Sequence, residues 1–208
     1  MIDAYVWPTP NGQKLLVALE ELGLPHTVKW INIGKGEQKT PEFLAINPNG
    51  KIPAIVDHEG PSGAPLSLFE SGAILTYLAD KAGKLIAPPG PERYLALEWM
   101  FFNAGGVGPM TGQLSYHTSY APEKDPKAIE RFTKEVQRLF GVLDKRLGEA
   151  RFLVGEEFSI VDVMNFTWPR SAVVRLGLDV TEFANLKRWL DEIETRPAVQ
   201  SALAKKPG

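Results

Sequence analysis

Two short stretches put polar groups at points where an apolar, strand-like run hands over to a helix. In "PTPNG", Pro8 to Gly12, the hydroxyl of Thr9 and the amide of Asn11 lie between the run "MIDAYVW" and the helix-period segment "QKLLVALEEL". By residue type alone they build a turn and cap a helix, tasks for which Asn is well suited. Such a turn is nevertheless an unusual place to collect a hydroxyl and an amide. In "LFESGAILTYLA", Glu70 and Ser71 hold the same kind of junction. As structure, Ser71 is a good N-cap and Glu70 an acid compatible with the helix dipole. As chemistry, the free N–H groups of the helix start and the Ser71 hydroxyl make an anion site, while Glu70 holds an ammonium group. Together they fit the head group of an α-amino acid.

A third stretch, "NPNGKIPAIVD", places Ile52-Pro53 at the start of a strand. One reading is that Pro53 simply begins the strand, where its missing N–H costs nothing. The other is a cis bond, which would expose the backbone N–H and C=O of Ile52 to a ligand. The low frequency of cis X-Pro bonds favours the first for this residue taken alone.

Composition narrows the chemistry. The chain has 208 residues, 44% of them hydrophobic, and a formal net charge of -2 with both signs spread along its length. It can bury a proper core, and no basic surface advertises itself to nucleic acid or anionic lipid. There is no cysteine, so disulfide scaffolds, thiolate metal sites and a protein-borne thiol nucleophile are excluded. Three histidines without paired metal-ligand spacing give no metal motif. The N-terminus lacks the basic and long apolar regions of a signal peptide, and no apolar run approaches the ~20 residues of a bilayer span. A soluble, cytoplasmic protein is expected.

The elements that must position these groups fall into two sets. Up to about Asp80, short β-rich runs alternate with helical periodicity: "MIDAYVW", the helix "NGQKLLVALEELG" ended by Gly23, "HTVKWINI", a helical turn in "PEFLAIN", the strands "KIPAIVD" and "PLSLF", and the helix "SGAILTYLADKAG". That order suits a small mixed sheet covered by helices. Beyond the Pro- and Gly-rich "KLIAPPGPER" strand signals vanish. "ERYLALEWMFFNAGG", "DPKAIERFTKEVQRLFGVLDKRLGE", "SIVDVMNFTWPRSAVVRLG" and "TEFANLKRWLDEIETRP" carry apolar residues at helical spacing. The reading is an α/β domain over residues 1–82, a linker over 83–91 and an all-helical domain over 92–208.

"KIPAIVD" followed at short range by "LFESGAI", within a half of βαβββα type, resembles the glutathione transferase superfamily, and the resemblance runs over essentially the whole chain. In the second half "FLVGEEFSIVDV" carries the Ser159 and Asp162 capping box familiar in that family, with Phe158 and Ile160 near a hydrophobic staple. Ser159 and Asp162 are read as fold determinants. "PTPNG", "NPNGKIPAIVDHEG" and "LSLFESGAIL" look most like the bacterial Nu-class transferases, relatives of fungal nitrogen-regulator proteins.

The resemblance implies a thioredoxin-like first domain, a helical second domain and a homodimer that binds glutathione, one or two per site, or glutathione disulfide. It implies that Thr9 and Asn11 face the glutathione sulfur, Gln38 its glycyl end, Ile52 the cysteinyl backbone, and Glu70 with Ser71 the γ-glutamyl group, with Lys51 and Pro53 also among the glutathione-binding residues. Arg131 matches an arginine near the ligand, although "AIERFTKEV" also reads as a solvated helix face. Asn103 matches a polar residue that reaches the partner subunit's site. Tyr116, His117 and Tyr120 fall in "GQLSYHTSYAPEK", read as a loop that either walls an acceptor site or packs on itself.

Tyrosine, serine and cysteine subgroups of the superfamily activate the thiol from this turn, whereas here Tyr5 lies too early, inside the strand. Thr9 stands in for the serine hydroxyl, and Asn11 offers an NH₂ donor that cannot ionise. The implied reaction is disulfide reduction by an activated glutathione thiolate without a protein cysteine. Conjugation of glutathione to electrophiles and a non-catalytic glutathione-binding role are the alternatives.

Overall fold

The computed structural model describes all residues from Met1 to Gly208. The chain divides into two compact units, one of Met1–Leu85 with Arg196–Gly208, the other of Ile86–Thr195.

In the first unit, β1 (Ile2–Val6) leads through α1 (Pro10–Leu22) to β2 (His26–Trp30). Two 3-10 turns and the short α2 (Pro41–Ile46) follow, then β3 (Ala54–Asp57), β4 (Leu66–Phe69) and α3 (Ser71–Ala82). The sheet order is β2-β1-β3-β4, with β1 parallel to β2 and antiparallel to β3, and β3 antiparallel to β4. This is the mixed sheet expected from the order of elements. Ile2, Ala4 and Val6 alternate inward along β1, and Ala4 faces Val28 on one side and Ile55 on the other. Against them α1 buries Leu15, Leu16, Val17, Ala18, Leu19 and Leu22. Gly23 ends α1 at φ 67, where a residue without Cβ is favoured.

The last helix differs from the sequence reading, which keeps it with the helical domain. α9 (Pro197–Ala204) packs on α1 in the first unit. Arg196 donates to both carboxylate oxygens of Glu21, at 2.6 and 2.8 Å, and Lys205 pairs with Glu20 at 2.9 Å. The two acids of the last turn of α1 are thereby used as its attachment points.

The second unit is helical throughout. α4 (Pro91–Phe102) runs through a five-residue π-helical turn, Asn103–Val107, into α5 (Gly108–Ser115), and a second such turn, Tyr116–Tyr120, follows. Tyr116, His117 and Tyr120 therefore lie on a widened helical turn and not in a loop, because the helical backbone persists to Tyr120 and turns extended only at Ala121. α6 (Pro126–Glu149), α7 (Ile160–Leu176) and α8 (Ala184–Glu194) complete the unit. The capping box at α7 is present in full. The buried Asp162 carboxylate accepts from the N–H groups of Ser159 and Leu153 and from the Trp189 indole, at 3.0, 3.1 and 3.0 Å. One acid thus ties the head of α7 to the preceding loop and to α8, which supports its reading as a fold determinant.

Candidate functional site

Thr9 is the N-cap of α1. Its backbone is extended, at φ -115 and ψ 162, and its hydroxyl oxygen accepts the Gly12 N–H at 3.3 Å. An oxygen that accepts in this way keeps its own O–H proton for another acceptor. The turn is tight, since the Thr9 N–H reaches the Trp7 carbonyl at 2.7 Å and Gly12 lies against the same carbonyl. A Cβ on Gly12 would sit 2.1 Å from that oxygen, so glycine is needed here for close approach. Asn11 is half-buried in the first turn of α1. Tyr5 belongs to the strand: its ring meets Phe43 edge-on at 6.1 Å, and burial, with the Asp3 charge second, pushes its hydroxyl up from the ordinary value. It is poorly suited to give up a proton.

The turn before β3 is organised by the buried Asn47, whose amide donates to the Lys51 carbonyl at 2.6 Å and whose oxygen accepts the Asn49 N–H at 2.9 Å. The Ile52-Pro53 bond that follows is cis, correcting the expectation for this residue taken alone. The Asn47 clamp sets the path of the whole turn, and a rule applied to one proline does not register it. Gln38 belongs to the same place. A Cβ on Gly50 would lie 3.0 Å from the Gln38 carbonyl, so residues 38 and 50 are in close approach. The Gln38 amide nitrogen reaches the Ile33 carbonyl at 3.4 Å, and its side-chain oxygen is buried without a partner in the protein.

At the β4–α3 corner the cap shifts by one residue from the sequence reading. Glu70, and not Ser71, is the N-cap, and Ser71 is the first helical residue. Glu70 sits at φ 71 and ψ 115, a region that non-glycine residues seldom adopt, and no side chain caps the helix. This backbone turns Glu70 outward, where its side chain is exposed, while Ser71 is buried.

Sequence reasoning missed Lys14. It is fully buried on α1, 1% exposed, and Glu70 is the charged group that favours its ammonium form. The available signal was periodicity, because Lys14 precedes the buried Val17 and Ala18 by three and four residues.

In the second unit, Phe132 gathers three of the marked residues. The Arg131 guanidinium lies 5.9 Å over its ring, the His117 ring stacks on it at 5.5 Å, and Tyr116 meets His117 edge-on at 5.2 Å. Arg131 is exposed and, with Met110, Lys127, Glu130, Phe132 and Arg138, lines a cleft of about 670 Å³. Tyr120 stands apart, accepting a hydrogen bond from Arg175 at 2.7 Å, and Asn103 is buried in the first π turn.

Comparison with known proteins places this geometry. Residues 9–81 match the glutathione S-transferase N-terminal domain and residues 103–197 the glutathione S-transferase C-terminal domain. The chain belongs to the glutathione S-transferase family. It is 47% identical, over 99% of its own length and 95% of the relative's, to the disulfide-bond oxidoreductase YfcG of Escherichia coli K12. A glutathione transferase from Burkholderia graminis, solved with two glutathione molecules bound per subunit, superposes with a TM-score of 0.94 at 42% identity, covering 100% of this chain and 89% of that one. A transferase from Pseudomonas putida, solved with one glutathione disulfide per subunit, gives 0.94 at 40% identity, covering 100% and 92%. As a glutathione S-transferase, the protein has both of the family's domains, and no helix long and apolar enough to cross a membrane.

Proposed function

We propose that the protein is a glutathione-dependent disulfide-bond oxidoreductase, of the Nu-class type, in which the only thiols are those of its substrates. The observation that carries this reading is the Thr9 corner in a chain without cysteine: a hydroxyl oxygen that accepts the Gly12 N–H and retains its proton, at the positive end of α1. A free thiol titrates near ~8.5, so only a small part is thiolate at neutral pH. Lowering that by about two units takes roughly 2.7 kcal/mol of preference for the thiolate. The Thr9 hydroxyl, the Asn11 amide and the helix dipole supply it together.

The bound thiolate attacks one sulfur of a disulfide RS–SR, forming a mixed disulfide with glutathione and releasing RS⁻. A second glutathione thiolate attacks that mixed disulfide, giving glutathione disulfide and the second RS⁻. The electron pair comes from the two glutathiones, and the protein contributes position and thiolate character. Glu70 takes the γ-glutamyl ammonium, and Ser71 with the uncapped head of α3 takes its carboxylate. The buried Gln38 oxygen, beside the turn that carries Lys51, Ile52 and Pro53, supports a polar contact from that turn to the rest of the tripeptide. On the family resemblance, Arg131 is assigned to glutathione, Asn103 to the partner subunit's site, and Tyr116, His117 and Tyr120 to the wall of the acceptor site.

The exposed Tyr94, Leu95 and Phe101 of α4 support a homodimer, since an apolar face of this kind is normally covered. Light scattering on the purified protein reads its mass. The cytoplasm, rich in glutathione, is the proposed compartment.

The test is reduction of hydroxyethyl disulfide by glutathione, coupled to NADPH through glutathione reductase, beside conjugation of chlorodinitrobenzene. Strong disulfide turnover with feeble conjugation is expected. Strong conjugation without disulfide turnover overturns the reading in favour of a conjugating transferase. Binding of glutathione with no turnover of either kind reduces the protein to a binding module.

A further inference from the structure

Three groups crowd the place where a side chain of Gly50 would begin, and one of them is an ammonium ion. Gly50 holds φ 60, and a Cβ there would lie 2.8 Å from the Lys39 Nζ, 3.0 Å from the Gln38 carbonyl oxygen and 3.1 Å from the Leu44 Cδ2. Lys39 ends the 3-10 turn Glu37–Lys39. The residue is exposed, yet its charged end is bent back onto the turn before β3. It forms no ion pair there. Glu37, in the same 3-10 turn, accepts the Asn32 N–H at 2.6 Å. Lys51, next to Gly50, is a second exposed cation without an ion pair. The turn thus carries positive charge that no carboxylate of the protein answers, an arrangement that does little for stability.

Gln38 supplies a group of the opposite kind. Its amide nitrogen faces the Ile33 carbonyl at 3.4 Å, which leaves Oε1 as the buried atom without a partner in the protein. That atom accepts hydrogen bonds and donates none. It suits an N–H of a ligand and opposes a carboxylate. The glycyl end of glutathione offers one of each, a peptide N–H and a terminal carboxylate.

We propose that Lys39 is a specificity-determining residue that takes the terminal carboxylate of the thiol substrate, while the Gln38 Oε1 accepts the glycyl N–H beside it. This inference rests on the assignment of the turn before β3 to the tripeptide. The glycyl end is divided between a cation and a neutral acceptor, so a tripeptide thiol with a free C-terminal carboxylate is preferred to its amide. Gly50 keeps the place open, since a side chain there would displace the ammonium group. Because Lys39 is exposed, water and salt screen the attraction, and the preference is moderate.

The test is a cycle of protein and ligand variants, read by calorimetric titration at neutral pH and low salt. The ligands are S-methylglutathione, its C-terminal amide, and the analogue with sarcosine in place of glycine, which keeps the carboxylate and lacks the N–H. The wild type should prefer the acid to the amide by about fivefold, and the preference should fall toward unity at about 1 M NaCl. Lys39→Met should bind the acid about fivefold more weakly and the amide within about twofold of the wild type. Lys39→Arg, which keeps the charge, should retain the preference. Lys35→Met, at an exposed lysine of the preceding 3-10 turn, should also retain it. Gln38→Met, of similar length, should weaken acid and amide alike by about fivefold, yet bind the sarcosine analogue as the wild type does. A wild type that does not tell acid from amide overturns the proposal. So does a preference that persists in Lys39→Met, that is lost equally in Lys35→Met, or that is lost only in Lys51→Met. A Gln38→Met loss of the same size with the sarcosine analogue overturns the role of the Gln38 oxygen. A wild type that binds none of the three ligands overturns the assignment of the turn to the tripeptide, a separate outcome from a lack of preference.

Discussion

The first unit contains two helix starts that carry polar residues, and they use them in opposite ways. At α1 the cap is internal: Thr9 takes the Gly12 N–H, Pro10 follows, and the turn is drawn tight against the Trp7 carbonyl. At α3 no side chain caps the helix, and the residue before it is held at a left-handed φ with its carboxylate outward. A closed corner fixes a single donor where a small error in position matters, which suits a developing or stabilised sulfur anion. A corner without a side-chain cap suits binding of a zwitterion. The expected division is that α1 governs the chemical step and α3 governs affinity.

The severest way to break this comparison is Gly12→Ala. Its Cβ would collide with backbone at 2.1 Å, so the corner must open. We expect a loss of about 3 kcal/mol or more in urea denaturation and of at least about 100-fold in disulfide turnover. Gly23→Ala, at the other end of the same helix with open space around it, should cost only about 1 kcal/mol and spare turnover. Thr9→Val comes next. Removal of one hydrogen bond to an anion is worth about 1.5–3 kcal/mol, so turnover at pH 7 should fall about 10- to 100-fold and recover as pH is raised, with KM within about twofold. At the open corner, Ser71→Ala should instead raise KM for glutathione about tenfold, leaving kcat within about twofold and the pH profile in place. A kcat effect at Ser71 or a pure KM effect at Thr9 would erase the proposed division.

The two corners also differ in how far they were legible. Thr9, Asn11 and Gly12 announce a turn by composition, and the turn is there. The capping shift from Ser71 to Glu70 was not legible, because Ser is the better cap by type and only the backbone of Glu70, at φ 71, decides otherwise. Lys14 was hidden for a related reason: a lysine in an amphipathic helix reads as solvated, and its burial depends on the elements packed against α1. The sheet, its helices and the Ser159–Asp162 box follow from local periodicity and capping, which sequence carries directly. The return of α9 to the first unit rests on pairing between Arg196 and Glu21, 175 positions apart, and no local rule reaches that far. The π turns likewise widen a helix without changing its apolar spacing enough to be read.

The smallest expected effect sharpens the comparison from behind the open corner. α3 is tied to β3 by a buried clamp in which Tyr77 donates to Asp57 at 2.5 Å and Lys81 pairs with the same carboxylate at 2.8 Å. Burial pushes the Asp57 carboxyl up, but the hydrogen bonds from Lys81, Tyr77 and the Glu59 N–H outweigh it and hold it below the usual carboxylate range. Burial and the Asp57 charge push the Tyr77 hydroxyl up to about 12, so it remains a donor at neutral pH. Because the folded value of Asp57 is depressed, its contribution is present above the unfolded carboxylate value of about 3.9 and is lost as pH falls below it. Tyr77→Phe removes one of the bonds that hold Asp57 down. It should cost about 1 kcal/mol in urea denaturation at pH 7 and move the acid unfolding midpoint upward, while KM for glutathione stays within about twofold. An unchanged KM would place the positioning of the open corner at the head of α3, with Glu70. A raised KM would mean that the clamp along the helix sets the corner, and that affinity is governed by the whole of α3 and not by its first turn.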